Sequence, residues 1–327
     1  MPIIEVNNLT KKFKSLVAVN DVSFTVSQGE IFGFLGPNGA GKTTTINILT
    51  TLLQPTSGSA TVNQFDVVKN KEQVRESIGL IFQDPSLDDK LSALENLKFH
   101  AWLYRVDKAV QQQRMSEMLK MVGLYSRKKD RVDTFSGGMK RRLEIARGLI
   151  HHPKVLFLDE PTIGLDPQTR NHIWEYVLQL RARENITMFL TTHYMDEAEY
   201  CDRVAIIDEG KIIALDTVAN LKKLIGGDVI IIKTSDNQKA QEEIQQKWQL
   251  EAKPKDDQLM INKPGGEKFI PDLFKNISPA IESVALRQPT LNDVFLKLTG
   301  KEIRDEEVSK KDKMKRHLKM RSRMGPH

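Results

Sequence analysis

The chain has a single cysteine, Cys201, among 327 residues, so no internal disulfide framework is available and a reducing compartment is the natural setting. It has no apolar run near the ~20 residues of a membrane-spanning helix. The longest candidates, Ile31–Leu35 and Val155–Leu158, have the length of strands. The opening residues, Met1-Pro2-Ile3-Ile4-Glu5-Val6, show no basic stretch followed by an apolar one, and a secretory leader is not expected. Neither an internal repeat nor a long heptad pattern is present, which argues against solenoids and extended coiled coils. A broadly basic surface is also missing. The net charge is +6, but eight Lys/Arg residues and one acid, Asp312, crowd between Lys310 and Arg323, and the remainder is close to neutral. Nucleic acid is therefore not an expected partner.

What is there is an ordinary globular composition, 39% hydrophobic and 28% charged, in a chain long enough for one large or two modest domains. Val22, Phe24 and Val26 alternate with polar residues and predict a half-buried strand. Ile31–Leu35, Val155–Leu158, Thr187–Thr191 and Val204–Ile207 are short apolar runs that suit buried strands. Thr44–Leu53 is helix-compatible, and about residues 89–148 are mostly helical in pattern. Strands alternating with helices predict an α/β fold built on a mainly parallel sheet. Gly226-Gly227 is the expected boundary of a second, smaller α+β domain. There Val229–Lys233, Leu259–Asn262 and Ile281–Leu286 are expected as strands. Gln238–Gln249, Phe269–Ile277 and Leu291–Leu298 are expected as helices.

Between a strand and a helix lies Gly36-Pro37-Asn38-Gly39-Ala40-Gly41-Lys42-Thr43, which fits G-x-x-x-x-G-K-[ST] in the required context. Glycines let the backbone wrap so that successive N–H groups point at phosphate oxygens, and the helix N-terminus adds partial positive charge. Lys42 supplies a full charge to the β- and γ-phosphates of ATP, and the Thr43 hydroxyl can ligate Mg²⁺. A second site begins where the apolar run Val155–Leu158 delivers Asp159 and Glu160. Adjacent residues at a strand end point in different directions. Asp159 can face the metal while Glu160 faces the attacking water.

With Phe135-Ser136-Gly137-Gly138-Met139-Lys140 ahead of the second strand, residues 3–225 resemble the ATP-binding subunits of ABC transporters. The resemblance implies a P-loop NTPase domain over about residues 1–225, with a helical subdomain over about 89–148. It implies that Phe13 stacks on adenine, that Gln83 senses the γ-phosphate and Mg²⁺, and that Ser136, Gly137 and Gly138 form the signature motif. It further implies that Asp166, in Gly164-Leu165-Asp166, belongs to the D-loop, and that His193 is the switch histidine. Thr44 joins the P-loop contacts. Phe135 and Met139 depart from the usual Leu-Ser-Gly-Gly-Gln, while Ser136 and Gly137 are kept. Phe-Ser-Gly-Gly-Met-Lys-Arg-Arg-Leu-Glu from Phe135, together with Leu291-Asn292-Asp293-Val294-Phe295-Leu296, resembles the daunorubicin-resistance type. That type works with ABC-2-type permeases, and its usual assignment is export of drugs, lipids or polysaccharide. The residues after Gly226, to about 300, resemble its C-terminal extension. The implied assembly is a homodimer on the cytoplasmic face of the cell membrane, in which the signature of each copy closes over ATP held by the other.

Two other functions compete at this stage: an importer ATPase of the same family, and a non-transport relative acting on ribosomes or DNA. Ribosome-acting relatives usually carry two cassettes, whereas this chain has one P-loop. DNA-repair relatives insert long coiled coils after the Gln83 region, and here the intervening segment lacks sustained heptads.

The tail, Lys301–His327, is either a solvated segment or a basic one lying against the anionic inner membrane surface. Basic residues near such a surface contribute roughly 1 kcal/mol each, strongly screened by salt. On the membrane reading, truncation after Gly300 should leave soluble ATP hydrolysis nearly unchanged and weaken sedimentation with anionic liposomes at low salt. Equal sedimentation of full-length and truncated chains leaves the solvated tail.

Overall fold

A computed structural model describes residues 2–83 and 86–300; the basic tail, with its two readings, lies outside the described residues. The chain divides into two compact units, one ending at Leu215 and the other starting at Asp216.

In the first unit, β1 (Pro2–Phe13) and β2 (Leu16–Ser27) form a long antiparallel pair. With β4 (Ser57–Val62) and β5 (Phe65–Asp66) they make a sheet of order β2-β1-β4-β5. The second sheet has the order β10-β9-β3-β8-β7-β6. Its strands are β3 (Ile31–Leu35), β6 (Ile78–Ile81), β7 (Val155–Asp159), β8 (Thr187–Thr192), β9 (Arg203–Asp208) and β10 (Lys211–Thr217). From β9 to β6 neighbouring strands run parallel. β10 returns through Glu209-Gly210, whose φ of 47° and 78° are the left-handed pair a two-residue hairpin turn requires.

Every residue of β3, β7 and β8 is buried, as continuous apolar runs in a doubly covered parallel sheet demand. Alternate side chains then sort to the two faces. Phe32, Phe34, Phe157 and Phe189 enter the core shared with β1, β2 and α1 (Lys42–Leu49). Phe189 sits at its centre, its ring 5.6 Å from both Phe32 and Phe34, 5.5 Å from Phe157 and 5.8 Å from Phe24. Helices α2 (Lys71–Ser77), α3 (Ala93–Leu103), α4 (Lys108–Met121), α5 (Gly137–Gly148), α6 (Pro167–Glu184) and α7 (Met195–Ala198) complete the unit. Their starts are chemically marked. Ser92 and Glu95 form a capping box on α3, Ser136 caps α5, and Asp166 caps α6 with Pro167 in its first turn.

α1 is shorter than the helix expected over Thr44–Leu53: Thr51, at φ 66°, adopts a left-handed conformation that no helix continues through. β1 was not expected as a strand at all, because most of its side chains are polar or half-exposed.

The second unit opens with α8 (Val218–Lys223), followed by β11 (Asp228–Thr234), α9 (Asn237–Trp248), β12 (Ala252–Lys255) and β13 (Gln258–Lys263). α10 (Gly266–Asn276), β14 (Ile281–Arg287) and α11 (Leu291–Thr299) complete it. The unit starts ahead of Gly226-Gly227, the boundary expected from the sequence, since α8 packs on α11. Its antiparallel sheet has the order β12-β13-β11-β14. Ile230, Ile232, Leu259 and Ile261 meet Ala240 and Ile244 of α9 and Phe269 and Leu273 of α10.

Removing the Phe189 ring opens a cavity where four other aromatic rings meet. Phe189→Ala should lower the stability of the first unit by about 3–5 kcal/mol, read as a shift in the urea midpoint at unchanged slope. A loss below about 1 kcal/mol would mean that the cluster does not carry the core.

Candidate functional site

The loop from Gly36 to Thr43 leaves the end of β3 and turns straight into α1. Two of its glycines are fixed by the space around them. A side chain at Gly36 would begin 2.3 Å from the Ile207 carbonyl oxygen. At Gly41, with φ 104°, it would meet the Ala18 carbonyl oxygen at 2.4 Å. Pro37 to Gly39 and Thr44 line the open side of this turn, while Ala40 is buried.

Lys42 is only 4% exposed, and its ammonium is fully engaged. It donates to the carbonyls of Gly36 at 2.9 Å and Pro37 at 3.1 Å, and pairs with Glu160 Oε1 at 3.1 Å. Burial draws the Lys42 amine below its ordinary range against the opposing pull of Glu160. Glu160 reaches His193 with its other oxygen, Oε2 lying 3.0 Å from Nδ1. Burial would raise the Glu160 carboxyl, but the His193 hydrogen bond and the Lys42 charge outweigh it and hold the group below the usual carboxylate range. The Glu160 carboxyl is thus ionised at neutral pH.

Glu160 occupies left-handed backbone, φ 46°, at a cost of roughly 1–3 kcal/mol for a residue with a side chain. Such a conformation persists only where neighbours hold it. Its N–H donates to the Thr191 carbonyl at 3.1 Å, tying the residue to the adjacent strand β8.

One residue earlier, Asp159 ends β7 with its carboxylate on the cradle side. The Thr43 hydroxyl lies 3.4 Å from Oδ1, and the Thr191 hydroxyl donates to the same atom. Burial pushes this carboxyl up, with Glu160 adding to the effect, and the threonine hydrogen bonds pull it back. Two oxygen donors, a hydroxyl and a carboxylate, therefore converge beside the phosphate loop. Hard oxygen donors of this kind suit Mg²⁺.

Lys42, Thr43, Asp159, Glu160 and His193 thus form one continuous set. The carbonyls of Gly36 and Pro37 join it through Lys42, whereas Phe13, Gln83, Ser136 and Asp166 stand apart from it. Phe13 ends β1 with its ring 43% exposed and Lys11 Nζ 5.1 Å from its centroid. Gln83 is exposed, just beyond β6. Ser136 accepts from the Met139 N–H at the exposed start of α5, next to Gly137 and Gly138. Asp166 accepts from both the N–H and the hydroxyl of Thr169, so its visible task is to cap α6.

Three supporting residues escaped the sequence analysis. Thr191, seen there only as part of a strand, holds Asp159 and Glu160. Glu197, 1% exposed, accepts from the hydroxyls of Thr162 and Thr192, joining the turn after Glu160 to the residue before His193. Arg141 reaches from α5 to the carbonyls around Glu160. Asp159, Thr162 and Pro161, on which they act, lie far along the chain, and local pattern carries no sign of such contacts.

Residues 19–163 match the family described as ABC transporter. The linearmycin resistance ATP-binding protein of Bacillus subtilis (strain 168) is 38% identical over 317 residues, 93% of this chain and 100% of the relative. The daunorubicin/doxorubicin resistance ATP-binding protein of Streptomyces peucetius is 36% identical over 323 residues, 95% of this chain and 97% of the relative. Among solved structures, a dimeric ATP-binding cassette in a post-hydrolysis state, bound to ADP and phosphate, aligns with a TM-score of 0.59 at 27% identity. That alignment covers 65% of this chain and 98% of the other. A subunit of an ABC transporter complex from Clostridium perfringens aligns with a TM-score of 0.64 at 31% identity, covering 69% and 93%. The solved cassettes span about the length of the first unit, whereas the two relatives match nearly the whole chain, and the chain belongs to the ATP-binding proteins of ABC transporters, in their drug-resistance group.

Proposed function

We propose that two copies of the chain close head to tail over two Mg·ATP. Each nucleotide is held by Gly36–Thr44 of one copy and by Ser136, Gly137 and Gly138 of the other. Hydrolysis drives export through a separate ABC-2-type permease at the cytoplasmic face of the cell membrane. The observation that carries this reading is the unbroken line of contacts from Lys42 through Glu160 to His193, on the phosphate loop itself. Phosphoryl transfer depends on positioning and charge stabilisation, and this line supplies a cation, an ionised base and an imidazole in one small space.

Lys42 has two tasks that exclude each other. It pairs with Glu160 in the structure, and it is the charge for the β- and γ-phosphates. When phosphates take the ammonium, Glu160 is released to accept a proton from water while His193 keeps hold of its other oxygen and faces the γ-phosphate. Nucleotide binding therefore frees the base it needs. Thr43 and Asp159 would hold Mg²⁺, with the Gln83 amide completing the set, and the ion would neutralise charge on the phosphate oxygens. Phe13 offers an exposed ring for adenine, and Asp166 lies at the start of α6 as the D-loop residue.

Support for a membrane partner comes from α3. Phe99, Trp102 and Leu103 are 57%, 69% and 55% exposed, a cluster of large apolar side chains on one helix, and such clusters mark contact surfaces. The basic tail would add attraction to the anionic inner leaflet. An importer is not favoured, because the relatives are named for resistance to linearmycin, daunorubicin and doxorubicin. An ATPase acting on ribosomes or DNA is disfavoured by the single cassette and by the near-complete match to those relatives.

Glu160→Gln should still bind ATP, release phosphate about 10²–10⁴-fold more slowly, and accumulate an ATP-bound dimer. Wild-type phosphate release by this variant removes Glu160 from the role of base. Mixing a Lys42→Ala chain with a Ser136→Arg chain should restore one working site per heterodimer from two inactive parents. Zero activity at every mixing ratio, with heterodimers demonstrated, contradicts the head-to-tail arrangement.

A further inference from the structure

α5 carries Ser136 at its N-cap and, further along, a guanidinium and a carboxylate that no step above employs. Arg141 and Glu144 pair at 2.9 Å with 6% and 0% of their side chains exposed. A buried ion pair is a weak source of stability, since desolvation consumes most of the attraction. Its geometry is more informative.

Arg141 binds the backbone of two separate segments. Its Nε donates to the Pro161 carbonyl at 2.5 Å and its Nη1 to the Phe82 carbonyl at 2.6 Å. Nη2 reaches the carbonyls of Asp159 and Glu160, each at 3.4 Å. Glu144 adds a hold on the same side of the helix, accepting from the Ser86 N–H at 2.7 Å. Gln83 follows Phe82 in the chain, and Glu160 is the residue whose left-handed backbone requires outside support. One fork of donors therefore connects the turn that aims the base, the turn that carries the sensing glutamine, and the helix that begins at the signature. Lysine has the charge but not the fork, and could not bridge these carbonyls together.

We propose that Arg141, locked by Glu144, is a positioning residue. It holds the Glu160 turn and the Gln83 turn in register with α5, so that a nucleotide on the partner copy, by engaging Ser136, sets the hydrolytic geometry of this chain. The proposal rests on the composite-site arrangement above.

The test uses the full-length chain and three measurements: affinity for a fluorescent ATP analogue, kcat, and ATP-driven dimerisation in a Glu160→Gln background. Arg141→Lys should bind the analogue as tightly as wild type, because the cradle is untouched, while kcat falls about 100-fold through misplacement of Glu160. Glu144 takes the Ser86 N–H on Oε1 and the Arg141 guanidinium on Oε2. Glu144→Gln, whose amide nitrogen replaces one of these acceptors, and Glu144→Ala should therefore both lower kcat as Arg141→Lys does while leaving affinity for the analogue unchanged. If Arg141→Lys fails to fold, the two Glu144 variants carry the same comparison. A kcat for Arg141→Lys within about threefold of wild type overturns the proposal. So does a loss of nucleotide affinity in parallel with kcat, the mark of a merely structural role. If Glu160→Gln with Arg141 intact forms no ATP-driven dimer, the composite-site reading fails first, and the link through Ser136 fails with it.

Discussion

The contact on which the site depends is the one between Lys42 and Glu160, 3.1 Å apart and almost fully buried. A lysine ammonium in such a place is costly unless its donors are taken up, and here two loop carbonyls and one carboxylate take them. That requirement draws the phosphate loop, the end of β7 and the end of β8 together. β7 and β8 pair in parallel register, Asp159 opposite Thr191, so Glu160 and His193 emerge side by side. The phenylalanine cluster beneath keeps these strand ends in place. Packing positions the strands, the strands position the charges, and the charges define where phosphates can bind.

Much of this was legible in the sequence because the relevant constraints are local. A phosphate loop requires glycines at fixed spacing, and Gly36 and Gly41 stand where a side chain would strike neighbouring backbone. Buried parallel strands read as unbroken apolar runs, and β3, β7 and β8 lie close to where those runs are. Where long-range contacts decide, the sequence was silent. β1 pairs along most of its length with β2 and β4 despite a polar composition. Thr191, Glu197 and Arg141 act through Asp159, Thr162 and Phe82, which lie 32, 35 and 59 positions away. No periodicity announces such bonds. The helices between residues 93 and 148 fall between these cases: α3 and α5 are marked by caps at Ser92 and Ser136, while the reach of Arg141 from α5 emerges only from its contacts.

The second unit has its own logic. Its sheet buries one face under α9 and α10 in a core separate from that of the first. The Asn292-Asp293-Val294-Phe295 stretch, part of the resemblance to the resistance group, is structural in character. Asp293 closes a capping box with Thr290 and takes a two-pronged hydrogen bond from Arg287, while Val294 and Phe295 are buried. Burial opposes ionisation of Asp293, but the Arg287 bonds hold its carboxyl below the usual range. Sequence similarity there falls on residues that hold α11 to the rest of the unit.

On the head-to-tail arrangement proposed above, each hydrolytic site is completed by a second copy of the chain. That arrangement is tested most directly by specific ATPase activity measured against chain concentration at saturating Mg·ATP, with sedimentation velocity on the same samples. Composite sites predict activity per chain that rises with concentration and levels off as the dimer fills. Constant activity per chain across concentrations at which the protein sediments as a monomer would contradict the account.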